Sequence, residues 1–268
     1  MTELEEQVLD EVWSGFVPLK ISLSKYDISF SGTPLDYYIC VPRCSYLPLI
    51  VENIRKHFDQ YTSTDYIQDE IWFSYKSVPL KWHYPIGFLL DIYSSILYNS
   101  VNLTIPFEIE VNFRRFPADI LLPYKGLKSL YTIFQNSLKE SCAMLLGTSS
   151  PVLNLSREQE DKVWNCAKTG NYKGFAESTR DFSGLSQENC KLIPVKIYYQ
   201  KLGNGIMLHP FQASEQKNVL DAVKEVVEEF QGKIVAQGIE IPGDSDLHWL
   251  WKCLAHPDNF LYITLLDS

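Results

Sequence analysis

The stretch "PYKGLKSLYTIF" (123–134) sets two amines, Lys125 and Lys128, on either side of Gly126 and just ahead of an apolar pattern of helical spacing. A lysine is a nucleophile only when deprotonated. With an ordinary pKa near 10.4, about one in a few thousand is free at neutral pH. Either amine can therefore accept an acyl group only if another protein, or local burial, supplies the deprotonation and the orientation. The acceptor itself needs exposure and a backbone that can enter a cleft, which Gly126 and the break at Pro123 supply. The plainer reading is a solvated cation at a helix entrance, slightly disfavoured by the helix dipole. Spacing alone does not separate the two.

Other reactive side chains offer less. Cys253 and His256 are three apart, nucleophile and base by type, but Cys253 stands among Leu250, Trp251 and Leu254. That pattern reads as a core thiol beside a surface histidine, with a cysteine-dependent acyl transferase using Cys253/His256 as the rival. Cys40 and Cys44 have no second ligand pair nearby, so no metal site is expected. His83, between aromatics in "KWHYPIG", reads as packed or hydrogen-bonded rather than as a base. Asp221, Glu225, Glu228 and Glu229 lie on one polar helix face, where solvation is the default. No Walker loop, dinucleotide-binding glycine fingerprint or HExxH occurs, so neither cofactor nor catalytic residue is expected.

The elements that carry these residues repeat. "GFVPLKISLS" (15–24) and "PLDYYICVP" (34–42) read as a strand pair, and "SYLPLIVENIRKHF" (45–58) as a helix with Ser45 as N-cap. "EIWFSYKSVPLKW" (70–82) reads as strand, tight turn and strand, "PIGFLLDIYSSIL" (85–97) as a helix, and "FEIEVNFRRF" (107–116) as a strand. From 192 the order recurs. "LIPVKIYYQ" echoes "FVPLKISLS" down to its proline and lysine, and "GIMLHPF" follows a Gly-Asn-Gly hairpin signal. A helix over 219–230, the strand segment 233–242, a helix over 246–256 and a strand over 259–266 complete the second copy. Hairpin, helix, strand, short helix, strand is the β-grasp order of ubiquitin, an α+β layer solution. Between the copies, 121–189 reads as helical, with a long helix through Leu127, Leu130, Phe134, Leu138 and Leu145. A second helix there has a Ser156/Gln159 capping box and a Gly170 C-cap, and a third spans 171–182. The expected division is an N-terminal helix (1–15), a first ubiquitin-like domain (16–120), a helix-rich domain (121–189) and a second ubiquitin-like domain (190–268). One larger α+β domain with chance similarity is the alternative.

Of the 268 residues, 46% are hydrophobic and 21% charged, a globular composition, and the net charge is −9. Nucleic acid is excluded as a main partner, because phosphate contacts need clustered Lys and Arg; a local basic patch still permits weak peripheral membrane contact. The acidic start "MTELEEQVLDEVW" is not a signal peptide, and the six scattered cysteines read as free buried thiols. A cytoplasmic location is the expectation. The end "NFLYITLLDS" lacks the flexible glycine of a transferable ubiquitin-like modifier, so an acceptor or adaptor role is expected.

The segments "VLDEVWSG" (8–15), "VPRCSYLPL" (41–49), "IWFSYKSVPLKWHYPIG" (71–87) and "PDNFLYIT" (257–264) closely resemble the autophagy-related protein 5 family, over nearly the whole chain. "LLGTSS" and "VAQGIEIP" resemble its budding-yeast members in particular. The resemblance implies two ubiquitin-like domains flanking a helix-rich one, and a non-catalytic scaffold. It implies an isopeptide bond from one lysine to the ubiquitin-like autophagy-related protein 12, and a bound N-terminal helix of autophagy-related protein 16. The assembly would act ligase-like, promoting transfer of autophagy-related protein 8 from its conjugating enzyme to phosphatidylethanolamine at the preautophagosomal membrane. Counting from Phe116-Pro117 and Phe134, it points to Lys128 as acceptor, with Lys125 as the alternative. Family members often carry a small residue before the acceptor, whereas Leu127 stands here. A groove where three domains meet is expected to take the partner helix, with Trp13 as a candidate lining residue. A passive tandem ubiquitin-like adaptor without a covalent partner is the remaining reading.

Overall fold

The computed structural model describes residues 2–30, 32–63, 70–98, 105–180, 182, 190–200, 206–212 and 216–267. The Gly-Asn-Gly hairpin signal at 203–205 lies outside them.

Helix α1 (Glu3–Trp13) opens with a capping box between Thr2 and Glu5. The first sheet then follows: β1 (Phe16–Leu23), β2 (Tyr37–Pro42), α2 (Val51–Phe58), β3 (Trp72–Tyr75), β4 (Val78–Pro79), α3 (Ile86–Tyr98) and β5 (Phe107–Asn112). Its strand order is β2-β1-β5-β3-β4, with β1 and β5 parallel and the other pairs antiparallel. Helices α4 (Leu127–Leu146), α5 (Ser150–Leu153), α6 (Arg157–Thr169) and α7 (Tyr172–Thr179) form the middle region. The second sheet comprises β6 (Leu192–Tyr199), β7 (Ile206–Gln212), β8 (Gly232–Ala236), β9 (Ile239–Ile241) and β10 (Leu261–Asp267), with α8 (Val219–Val226) and α9 (Leu247–Leu254). Its order, β7-β6-β10-β8-β9, is the first order again, with β6 and β10 parallel. The repeat read from sequence is thus a repeat of topology, two β-grasp units flanking helices. Each unit even uses the same two-residue turn with both φ positive, at Lys76-Ser77 and at Gln237-Gly238.

Local chemistry explains several boundaries. Ser156 and Gln159 cap α6 reciprocally, and Gly147 and Gly170 end α4 and α6 in left-handed conformation. The segment 45–58 is not one helix. A 3-10 turn spans Leu47–Ile50, and the α-helix starts only at Val51. Ser45 is not its cap: it is buried, with its backbone bonded to Pro42 and Ile86. Helix α8 stops at Val226, four residues short of the expected end, where β-branched Val223, Val226 and Val227 crowd the last turn. Phe230 still packs into the core from the turn beyond.

Each sheet packs one face on its own helices. The other faces differ between the copies. On the first sheet, Lys20 sits opposite Glu108 and pairs with it at 3.2 Å on an open surface. The matching pair on the second sheet is Lys196 and Tyr262, and it is covered. There Phe88 and Ile92 of α3 pack on Tyr198, Phe260 and Tyr262. The Lys196 ammonium lies 3.8 Å from the Phe260 ring centre, donates to the Tyr262 hydroxyl and bonds the buried Asp258 carboxylate.

Candidate functional site

Two places can do something. The first is the entrance to α4. The chain leaves the first sheet, turns at Pro117, whose carbonyl accepts from Ile120 and Leu121, and buries Leu121. Trp82 fixes the next residues from below: its indole N–H donates to the Leu122 carbonyl at 2.8 Å, and its ring meets Tyr124 edge-on. Beyond that anchor the chain runs over the surface. Gly126 is the N-cap with φ 86, a conformation suited to glycine, and the space a side chain would fill there is empty. Lys125 and Lys128 are both exposed, with Leu127 half-exposed between them. Lys125 precedes the helix, its backbone N–H donating to Ser129 Oγ. Lys128 stands in the first turn, its carbonyl accepting from Thr132. The buried stripe of Leu130, Phe134, Leu138 and Leu145 holds the other side of α4 in the core. Lys128 is thus presented outward by a helix whose other side is buried, and Lys125 by the exposed segment just before it.

The second place is an apolar groove of about 470 Å³. Val8 and Val12 of α1 form one wall, and Ile239 and Ile241 of β9 with Trp249 and Leu254 of α9 form the other. Ile239 and Trp249 are exposed, and Glu11 and Glu240 border the opening. Arg43 reaches the groove from the first domain. Its guanidinium grips both oxygens of Asp91 at 2.6 and 2.8 Å, and Asp91 Oδ2 accepts the Gly238 N–H from the β8–β9 turn. Burial drives the Asp91 carboxyl upward in pKa, against the pull of Arg43 and the Gly238 N–H. This lock fastens the two ubiquitin-like domains. A second ion pair, Lys252 with Glu5 at 3.1 Å, fastens α1 to α9.

The groove draws on α1, Arg43 and the second domain; the helix-rich region does not line it. Trp13 is not in it. It is buried against Tyr172 and Phe175 of α7 and borders a separate cleft walled by Glu3, Glu6 and Asp10.

Three domain models of one family match in order: the UblA domain of autophagy protein ATG5 over residues 12–113, its alpha-helical bundle region over 127–182 and its UblB domain over 192–265. The chain belongs to the autophagy protein 5 family. Among its relatives, Autophagy protein 5 of Debaryomyces hansenii is 28% identical over 291 residues, covering 98% of this chain and 96% of that protein. The Drosophila melanogaster protein is 25% identical, covering 97% of each. The Oryza sativa subsp. indica protein is 36% identical over 180 residues, covering 67% of this chain and 45% of its own length. The fold matches the crystal structure of Kluyveromyces marxianus Atg5 with a TM-score of 0.84 at 19% identity, covering 97% and 99% of the two chains.

In this family member the Cys253/His256 rival fails on geometry and charge. Cys253 is fully buried on α9, and burial pushes its thiol up to about 11. His256 is not on the surface: it lies beyond the end of α9, is 4% exposed, and is pushed down to about 3 by burial. At neutral pH the pair is thiol and imidazole, not thiolate and imidazolium. His83 is also packed, and burial lowers it to about 4. Nor are all the thiols buried: Cys40 points outward from edge strand β2, and Cys190 is half-buried. Among the described residues no His/Cys/Asp/Glu group could hold a metal ion, and no helix is long and apolar enough to cross a membrane.

The histidines predict an acid dependence. An unfolded histidine takes its proton near 6.5, whereas folded His256 and His83 resist until about 3 and 4. Between those limits the unfolded chain binds more protons, so stability falls as pH falls from 6.5. Asp91, whose carboxyl is raised by burial, opposes this over the range above 3.8. The urea midpoint is expected to drop between neutral pH and pH about 5, and His256→Gln to flatten that drop. An unchanged slope in His256→Gln would exclude His256 as its source.

Sequence reasoning missed Arg43, Asp91 and Gly238. A signal for Asp91 was present: it is the lone charge in "PIGFLLDIYSSIL", and buried carboxylates are paired. Nothing local marked Arg43 or Gly238 as its partners.

Proposed function

We propose that this family member is a non-catalytic scaffold of autophagy that accepts the ubiquitin-like autophagy-related protein 12 on Lys128 through an isopeptide bond. The observation that carries this reading is the α4 entrance: two exposed amines around an unobstructed glycine, at the start of a helix anchored by its opposite face. A thioester-bearing conjugating enzyme needs an amine that can enter its cleft, and this geometry offers one. Lys128 is preferred because the family resemblance, counted from Phe116-Pro117 and Phe134, points to it, and Lys125 is the alternative. The groove between α1 and α9 then takes the N-terminal helix of autophagy-related protein 16, since an amphipathic helix docks by laying an apolar stripe into such a slot. The complete assembly works ligase-like, promoting lipidation of autophagy-related protein 8 with phosphatidylethanolamine. It acts from the cytoplasm after peripheral recruitment to the preautophagosomal membrane.

The intact mass of the chain purified from cells tests the covalent part. A partner-sized adduct is expected on a fraction of the molecules; its complete absence would leave only the passive adaptor. For the groove, Ile239→Asp is expected to weaken binding of the partner's helical peptide by tenfold or more, because it places a charge in the apolar wall. Unaltered affinity in calorimetry would move the helix elsewhere.

A further inference from the structure

Both lysines at the α4 entrance are exposed, so accessibility does not choose between them. What differs is how the backbone is held. Between buried Leu121 and half-buried Tyr124, Leu122 and Pro123 are exposed, and the chain is fastened there by a backbone group, the Leu122 carbonyl. Its donor, the Trp82 indole N–H, lies 2.8 Å away on a side chain only 3% exposed. The mount of that indole is stiff. Leu80 is buried and its N–H donates to the Phe73 carbonyl of β3, the Tyr84 N–H closes a turn on the Lys81 carbonyl, and the Ile86 N–H donates to the Ser45 carbonyl. The Trp82 ring also meets the Tyr124 ring, 5.3 Å between centres. Lys125 follows directly, its own N–H on Ser129 Oγ at 3.1 Å. Its backbone is therefore tied on both sides. Lys128 lies past Gly126, and its direction is set by the buried stripe of α4.

We infer that Trp82 is a positioning residue that decides which of the two lysines receives the partner. This rests on the acceptor reading above and deepens it. The step is the same on either lysine. A neutral Nζ attacks the thioester carbonyl, the C–N bond forms as the C–S bond breaks, and the nitrogen's proton departs while the enzyme's thiol is released. The amine must meet the carbonyl along one line of approach, and a misplacement of about 1 Å can cost on the order of a hundredfold in rate. The Trp82 anchor keeps Lys125 from swinging onto that line. It leaves Lys128 in place, because α4 carries that residue without it. An indole N–H only donates, so it holds a carbonyl and nothing else. Losing it frees residues 122–125 without moving the helix. The distinctive consequence is a gain, since the wrong lysine becomes reactive. A Trp82 that merely supported the fold would, on substitution, lose reaction at Lys128 and gain none at Lys125.

Trp82→Phe keeps a ring and removes the donor, and Tyr124→Leu removes the ring contact. The full chain carrying each is reacted with autophagy-related protein 12 charged on its conjugating enzyme, and the branched lysine is mapped by peptide mass spectrometry. Wild type is expected to carry the partner on Lys128. In Trp82→Phe the rate at Lys128 should stay as in wild type while the share on Lys125 rises about tenfold, with a smaller rise in Tyr124→Leu. Lys128→Arg combined with Trp82→Phe should regain an adduct, on Lys125. Brief trypsin digestion reads the anchor with no partner present: cleavage after Lys125 should be several-fold faster in Trp82→Phe, with the circular dichroism spectrum unchanged. An unchanged Lys125 share in both variants, or cleavage after Lys125 no faster than in wild type, overturns the inference and leaves the acceptor reading standing. A wild-type adduct on Lys125, or none at all, fails the acceptor reading itself and takes this inference with it.

Discussion

Lys128→Arg is expected to abolish the proposed covalent adduct and to leave the fold intact. Arginine keeps the charge, but its guanidinium is protonated at any accessible pH and has no free amine to attack a thioester. The position is exposed in the first turn of α4, its side chain carrying no buried contact, so the change in stability should stay within about 0.5 kcal/mol. Lys125→Arg should leave the adduct in place, because the family resemblance places the acceptor three residues on, at Lys128. Immunoblotting of both variants in cells, followed by peptide mapping of the branched lysine, reads the outcome. The adduct lost in Lys125→Arg and kept in Lys128→Arg would move the acceptor to Lys125. The adduct kept in both would remove the α4 entrance as the site.

Arg43→Ala is expected to destabilise the whole chain by about 3–5 kcal/mol, because it strands a buried carboxylate. Asp91 is 3% exposed, and Arg43 supplies its charged partner. Once alanine is in place, Asp91 keeps only the Gly238 N–H, and the cheapest escape is to take up a proton. Arg43→Lys should rescue little, since an ammonium on a different stem must also reproduce the Nη2 bond to the Gly87 carbonyl that holds the Arg43 cation over Asp91. Gly238→Ala attacks the same lock from the other side. Its φ of 80 disfavours a side chain, and an added Cβ would come 3.0 Å from the Arg43 guanidinium. Both substitutions should weaken binding of the partner helix as well, because the lock fixes the separation of the groove's walls. Urea melts and peptide calorimetry on the same preparations check the two effects. Wild-type stability in Arg43→Ala would show that the domains are held mainly by the apolar contact of α3 on β10.

The parts of this architecture written locally were legible in the sequence. Alternation in "FEIEVNF", the spacing of leucines in α4 and the Ser156/Gln159 box each name one element from its own residues. The repeat supplied the topology, because two copies must solve the same packing problem. Failures came where distant residues decided. His256 looked exposed because it follows a helix of mixed polarity, yet the covering of the second sheet buries it. Trp13 looked like an exposed aromatic on an acidic helix, yet α7, more than 150 residues on, packs over it. The lysines at α4 were found by their setting, but position 126 rather than either amine is what the backbone singles out.

The pairing of Glu5 with Lys252 joins residues 247 apart in the chain. On a ribosome, α1 emerges long before the surface it must cover, α9. Until then its apolar side, Leu9 and Trp13 included, has the middle helices and Cys44, Tyr46 and Trp82 of the first domain to rest on. Long-range closure of this kind is slow, so the groove that Val8 and Val12 share with β9 and α9 is complete only once the second ubiquitin-like domain has been made and folded. A helix that docks in that groove therefore meets a chain whose second ubiquitin-like domain is already folded.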